Sequence, residues 1–120
     1  MAKSKQAKAR EFSAKDRKVI EERDQGCIFC KMRYHMEDVE GYGARLKSIM
    51  HYIPRSANGL GIPENGALGC QCHHEMFDNG SSGRREEMKE LFREYLMQQY
   101  PGWDEKDIVF SKWKGFEYVH

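Results

Sequence analysis

Residues 50–80 have the sequence MHYIPRSANGLGIPENGALGCQCHHEMFDNG, and the fold assignment depends mainly on this segment. Its second half crowds two cysteines and two histidines into five positions, and a second cysteine pair, CIFC, occupies residues 27–30. Structural zinc commonly takes two ligands from each of two tight turns that are distant in sequence. The predicted ligands of a structural Zn²⁺ are Cys27, Cys30, Cys70 and His73. Cys72 competes with His73 for the fourth place.

Length and composition favour one small domain with a thin core. The chain has 120 residues, of which 39% are hydrophobic and 32% are charged, so a metal would help to hold the core together. No apolar run is long enough for a membrane span or a secretory signal, so we expect no membrane partner and a cytoplasmic location. In that reducing compartment the four cysteines are better explained as metal ligands than as disulfides.

The start of the chain is strongly basic although the net charge is only +1. Residues 1–11 are rich in lysine and alanine, which predicts a flexible basic arm, and residues 12–120 are predicted to form the single domain. Phosphate backbones attract such a segment by counterion release. A solvated tail without a partner is the alternative.

Local signals place the secondary structure. Ser13 begins a helix that Gly26 ends, and strands are expected at residues 46–53 and 66–69. A short helix is expected at 73–78, and residues 82–120 are predicted to form a C-terminal helical extension. Its helix carries an apolar stripe that we assign to the core: Met88, Leu91, Phe92, Tyr95 and Leu96. Aromatic and aliphatic residues of the tail should pack back onto the domain: Trp103, Ile108, Phe110, Trp113 and Phe116.

Three separated elements resemble the HNH nuclease family. They are His51 followed by two apolar residues and Pro-Arg-Ser, then Asn65, and then His74 just after the second zinc turn. The resemblance covers roughly residues 17–80. It implies an α+β fold whose ββα-metal, treble-clef-like core lies at about residues 27–80. A structural zinc site and flanking helices complete the implied fold. The implied activity is phosphodiester hydrolysis in DNA.

The resemblance also implies roles for individual residues. His51 takes the place of the general base, a task that suits an imidazole because it is mostly neutral yet basic at working pH. Asn65 either orients the catalytic loop or coordinates the metal. His74 and Asp78 lie four residues apart on a helix and can therefore coordinate a catalytic Mg²⁺ or Mn²⁺ together. Other divalent transition metals are possible. Arg55 is the candidate for contact with a substrate phosphate.

One position departs from the family pattern. Many members carry a histidine or aspartate ligand immediately before the general base, where this chain has Met50. A thioether is a poor Mg²⁺ ligand, so metal affinity could be weakened, or another group could replace it. The candidates for that replacement are His35, Glu37 and Asp38, although no sequence motif supports them.

Two functional interpretations follow. The first is a metal-dependent DNA endonuclease that either nicks one strand or cuts both. Small members of the family that look like this chain are often phage-encoded partners of terminase and DNA-packaging proteins. The second is a non-catalytic zinc-knuckle module that binds DNA or protein.

Overall fold

The computed structural model describes residues 5–80 and 83–111. The helices are α1 (Lys5–Ala9), α2 (Ala14–Asp24), α3 (Ile28–Lys31), α4 (Gln71–Asn79) and α5 (Arg84–Gln99). The strands are β1 (Lys47–His51) and β2 (Gly66–Cys70). Short 3-10 turns lie at Met36–Asp38, Tyr42–Ala44, Arg55–Ala57, Pro63–Asn65 and Glu105–Ile108. None of the helices in these two ranges has the length and apolar character that a membrane crossing requires.

The two strands form an antiparallel ribbon, as the sequence predicts. His51 at the end of β1 lies opposite Gly66 at the start of β2, and Met50 lies opposite Ala67. Because successive side chains of a strand point to opposite faces, Met50 is fully buried in the core while His51 is half-buried on the other face. All of β2 is buried, and helix α4 follows it directly.

Helix α2 begins and ends where the sequence predicts. The Ser13 hydroxyl accepts a hydrogen bond from the Asp16 backbone N–H (3.0 Å), which is the N-cap interaction that the sequence pattern predicts. At the other end Gln25 takes a left-handed conformation (φ 57°), and Gly26 follows it before the turn that begins at Cys27. The helix thus delivers the chain to Cys27.

A buried ion pair at the end of α2 holds the outer edge of β2. The fully buried Asp24 accepts the Leu68 backbone N–H (2.9 Å), and its neighbour Arg23 donates to the Gly66 carbonyl (2.6 Å) and to Asp24 itself. The Tyr95 hydroxyl of α5 also donates to Asp24. Polar side chains of α2 therefore satisfy the backbone of β2, and Tyr95 of α5 supports Asp24, which composition alone does not indicate.

The C-terminal segment packs onto the domain over the residues that the structure describes. Met88, Phe92 and Leu96 of α5 are fully buried, which confirms the predicted core stripe. Ile108 is buried, and its carbonyl accepts the Leu60 backbone N–H (2.9 Å). Trp113 and Phe116 lie outside the described residues. The helix of the predicted extension ends at Gln99, and the segment up to residue 111 contains only a 3-10 turn.

The basic segment before α2 is built into the domain from residue 9 onward, where the sequence predicts a flexible arm. Residues 5–9 are helical, the Gly61 backbone N–H donates to the Ala9 carbonyl (2.8 Å), and Phe12 is buried in a small cluster with Ile20 and Leu68. Gly61 makes this approach possible, because a Cβ there would lie 2.1 Å from the Glu11 carbonyl carbon. The result is a small α+β domain with a two-stranded sheet.

Candidate metal centre and catalytic cavity

Four side chains from two turns converge on one point, and they are the four that the sequence predicts: Cys27, Cys30, Cys70 and His73. The His73 Nδ1 atom lies 3.4 Å from the sulfur atoms of Cys27 and Cys70 and 3.5 Å from that of Cys30. The sulfur atoms of Cys30 and Cys70 are 3.8 Å apart. In a zinc tetrahedron with Zn–S of about 2.3 Å and Zn–N of about 2.0–2.1 Å, these separations are about 3.6 Å and 3.8 Å. The group can hold a metal ion such as zinc.

The two turns have the same local geometry. Cys27 caps α3 and accepts the Cys30 backbone N–H (3.4 Å), and Cys70 caps α4 and accepts the His73 backbone N–H (3.4 Å). Such N–H groups stabilise a thiolate at a helix N-terminus. The Cys-x-x-Cys and Cys-x-x-His spacings therefore position their ligands in equivalent ways.

The chemistry of this donor set fits a cation. His73 Nε2 donates to the Tyr34 carbonyl (2.6 Å), which leaves the Nδ1 lone pair directed at the three sulfur atoms. Burial and the neighbouring Cys27 raise the pKa of the Cys30 thiol, because thiolates this close repel each other when no cation lies between them. A divalent ion would replace the thiol protons and remove that repulsion.

Cys72 lies outside the cluster. Its sulfur contacts the Glu40 carbonyl (3.6 Å) at the edge of the domain. Since consecutive residues of a helix point in different directions, α4 can offer either Cys72 or His73 to the turn that Cys70 begins. The structure places His73 there, so the group that can hold a metal contains His73 and not Cys72.

His51 is fixed by the segment that precedes α2. Its Nε2 bonds to the Arg10 backbone carbonyl (2.9 Å), and its ring packs on Phe12 with centroids 4.4 Å apart. Because a carbonyl oxygen only accepts, Nε2 must carry the proton and Nδ1 is the basic nitrogen of the neutral ring. Burial, together with the positive charges of Arg55 and Arg17, lowers the pKa of His51, so the ring is neutral at neutral pH.

Sequence reasoning missed this support because it comes from a main-chain carbonyl. The type of residue 10 does not determine the contact, and the one local signal is the aromatic residue at position 12, two positions after Arg10. The Arg10 guanidinium strengthens the contact by donating to the Arg55 carbonyl (3.0 Å).

Asn65 holds the loop between the strands. It is fully buried; its Oδ1 accepts the Ile53 backbone N–H (2.8 Å), and its Nδ2 donates to the carbonyls of Ile53 (3.0 Å) and Leu60 (2.8 Å). Both ends of its amide are thus engaged by the backbone. Of the two roles left open for Asn65, this geometry supports orientation of the loop and leaves no oxygen directed at a metal.

His74 and Asp78 lie on one face of α4, as their spacing predicts. His74 Nε2 is 3.5 Å from Asp78 Oδ2, and its Nδ1 is 2.7 Å from the Ser48 hydroxyl of β1. Both residues line a cavity of about 250 Å³ together with His51 and Arg55. Arg55 is exposed there, and its guanidinium lies 3.5 Å from the Glu11 carboxylate. The structure therefore brings the four residues together.

Met50 and the acidic group near residue 37 do not contribute to this cavity. Met50 is fully buried in the core. His35, Glu37 and Asp38 lie close to one another, and Asp38 pairs with Arg84 (2.8 Å). Within the described residues, none of these three lines the cavity that contains His51, so the structure does not support their replacing the missing ligand.

Comparison with known proteins adds no relative: no family model, curated protein or solved structure matches the chain.

Proposed function

We propose that this protein is a metal-dependent DNA endonuclease with an HNH-type ββα-metal core. The observation that carries the proposal is the cavity in which a half-buried histidine from β1 meets a histidine and a carboxylate from α4. The first strand and helix α4 supply these groups, β2 lies between them in the chain, and a Cys₃His group lies at the junction of β2 and α4. The sequence motif and this placement support the same assignment.

His51 is the proposed general base. With Nε2 donating to the Arg10 carbonyl, Nδ1 is available to take a proton from the water that attacks the phosphorus atom. A base in this role must be unprotonated at working pH, and burial of the ring favours that form. A positioned base contributes about 10²–10⁴-fold to the rate.

His74 and Asp78 would hold the catalytic cation. Their ligand atoms are 3.5 Å apart, close to the ~3.0 Å between adjacent ligands of an octahedral ion with bonds of ~2.1 Å. If Nδ1 of His74 donates to Ser48, its Nε2 is free to coordinate. Bound there, Mg²⁺ or Mn²⁺ supplies charge neutralisation at the phosphate and the leaving oxygen. Water and phosphate oxygens would complete its shell, as is usual for Mg²⁺.

A zinc-knuckle module that binds DNA or protein without chemistry is the second candidate. The observation in its favour is Met50, which is part of the core where the family pattern has a ligand. This alternative retains the zinc site and the basic surface but makes His51 a structural residue. The two proposals therefore differ in what His51 does.

Nicking of supercoiled plasmid distinguishes them. We expect the wild type to convert plasmid to open circle with Mg²⁺ or Mn²⁺ and not with EDTA. His51→Asn should lose at least about 100-fold in rate while retaining its zinc. His35→Asn is the matched control, because asparagine tolerates the left-handed backbone at His35 (φ 43°) and this histidine lies outside the cavity.

Three measurements accompany the assay: metal content, circular dichroism and DNA binding of each variant. If the wild type and His51→Asn bind DNA equally and neither cuts with any cation, the binding-module function replaces the endonuclease. Equal cutting by the two proteins would also refute the assignment of His51.

A further inference from the structure

A second cavity adjoins the one that holds the proposed catalytic residues. It has a volume of about 490 Å³ and is lined by Glu11, Phe12, Arg17, Ile49, His51, Arg55 and His74. The first cavity shares three of these residues, His51, Arg55 and His74, and continues on the other side toward α5. The two cavities therefore form one groove with the proposed base near its middle.

Positive charge lies on both sides of this midpoint. Arg17 of α2 lines one cavity, and Arg85 and Lys89 of α5 line the other. Within the ranges that the structure describes, the side chains of Arg17 and Arg85 have no hydrogen-bond or ion-pair partner, and both are exposed.

The carboxylates of the groove are already engaged. Four cationic side chains and two carboxylates line the two cavities. Glu11 pairs with Arg55, and Asp78 is the proposed cation ligand beside His74. Lys89 is held over the Tyr52 ring, with its Nζ 5.4 Å from the ring centroid. The charge that remains for a ligand is positive and is carried by helices at opposite ends of the groove.

We infer that this groove binds a DNA backbone on both sides of the cut, with Arg17 contacting phosphates on one side and Arg85 and Lys89 on the other. The inference rests on the proposed function, because that function places the reacting phosphate at His51. It assigns substrate binding to helices α2 and α5, of which α5 lies outside the stretch that resembles the nuclease family. Arginine and lysine at such positions fix the register of the DNA without reading its sequence.

The first test measures binding without cleavage. Affinity of the His51→Asn protein for a labelled duplex is measured by fluorescence anisotropy at fixed Mg²⁺ and varied KCl. Adding Arg17→Ala or Arg85→Ala should each reduce the salt slope by about 0.9, the value for one lost phosphate contact on duplex DNA. The loss of affinity should be the same on unrelated sequences.

Arg93→Ala is the matched control. Arg93 lies on α5 like Arg85, but it pairs with Glu90 and Glu105 and lines a different cavity with Trp103. Its removal takes the same charge from the same helix and should leave the slope unchanged. An equal fall with Arg93→Ala would mean that net charge is responsible, which would overturn the groove.

The second test uses duplexes shortened on one side of the mapped cut. When the flank that Arg17 contacts is missing, Arg17→Ala should have no effect, while the double variant Arg85→Ala/Lys89→Ala still weakens binding. When the opposite flank is missing, the double variant should have no effect, while Arg17→Ala still weakens binding. Sensitivity of both variants to the same flank would overturn the proposal. Plasmid cutting with unaltered salt slopes refutes the groove and leaves the endonuclease intact. Reduced slopes without any cutting support the groove and refute the endonuclease.

Discussion

Gly61→Ala should disable the proposed base from outside the motif. Gly61 lies against the segment before α2, and a Cβ there would be 2.1 Å from the Glu11 carbonyl carbon and 2.5 Å from the Phe12 nitrogen. Ordinary Cβ contacts begin at 3.4 Å, so the backbone of this segment must retreat by about 1.3 Å. Backbone cannot move aside as a flexible side chain can, and the neighbouring Arg10 carbonyl should move with it.

The retreat breaks the hydrogen bond that orients His51. The distance from the Arg10 carbonyl to Nε2 is 2.9 Å and would increase to about 4 Å, beyond hydrogen-bond range. The ring then loses both its fixed orientation and its preferred tautomer. A misplacement of about 1 Å at a catalytic group costs about 10²-fold, so we expect that loss in kcat with little change in KM.

Single-turnover cleavage and ¹⁵N NMR of the histidine ring measure the two effects separately. The NMR spectrum should show proton occupancy shifting from Nε2 toward Nδ1 in Gly61→Ala. Gly26→Ala is the control, because a Cβ there meets only the end of the Lys31 side chain at 3.8 Å. Wild-type cleavage by Gly61→Ala would refute the positioning role of the segment, and so would a reduced rate with an unaltered His51 spectrum.

Three further predictions concern the metal site, the loop and the base. Cys70→Ala should lose zinc and unfold, whereas Cys72→Ala should keep both zinc and its melting temperature; equal melting curves would contradict the assignment of Cys70. Asn65→Ala leaves three partly buried backbone groups without partners and should lower the free energy of unfolding by about 3 kcal/mol in urea titration. The exposed control Asn79→Ala should lower it by less than about 0.5 kcal/mol. Burial lowers the pKa of His51, and the proposed base acts in its unprotonated form. The value of kcat/KM should therefore fall as the pH decreases, with a midpoint below about pH 6.5, the ordinary histidine value. A midpoint above about pH 6.5 at constant zinc content would be inconsistent with this role.

The elements that local sequence signals specify were predictable. Ser13 and Gly26 delimit α2 because capping depends on residues next to each other in the chain. The same holds for the two turns that supply the candidate metal ligands. Cys70 and His73 have the same spacing as Cys27 and Cys30, and the two pairs meet at one point. The members of this group were predictable, apart from the choice between His73 and Cys72, because metals select side-chain chemistry directly.

Contacts made by backbone groups or between distant elements were not predictable. The Arg10 carbonyl carries no mark in the sequence, and Gly61 is one of 11 glycines. In the sequence, Asp24 and Arg23 look like ordinary solvated residues of a polar helix. In the structure they turn inward, because the Leu68 N–H and the Gly66 carbonyl on the outer edge of β2 require hydrogen-bond partners. The groove likewise depends on α5 packing against α4, a placement that its apolar stripe indicates without fixing its orientation.

Anomalous diffraction from crystals of His51→Asn protein with a DNA duplex and Mn²⁺ is the most direct test of the proposed chemistry. The geometry predicts a Mn²⁺ peak bonded to His74 Nε2 and Asp78 Oδ2, with one phosphate of the duplex bound to the ion and facing residue 51. A peak elsewhere, or a duplex whose phosphates approach neither α4 nor residue 51, would contradict phosphodiester hydrolysis at this site.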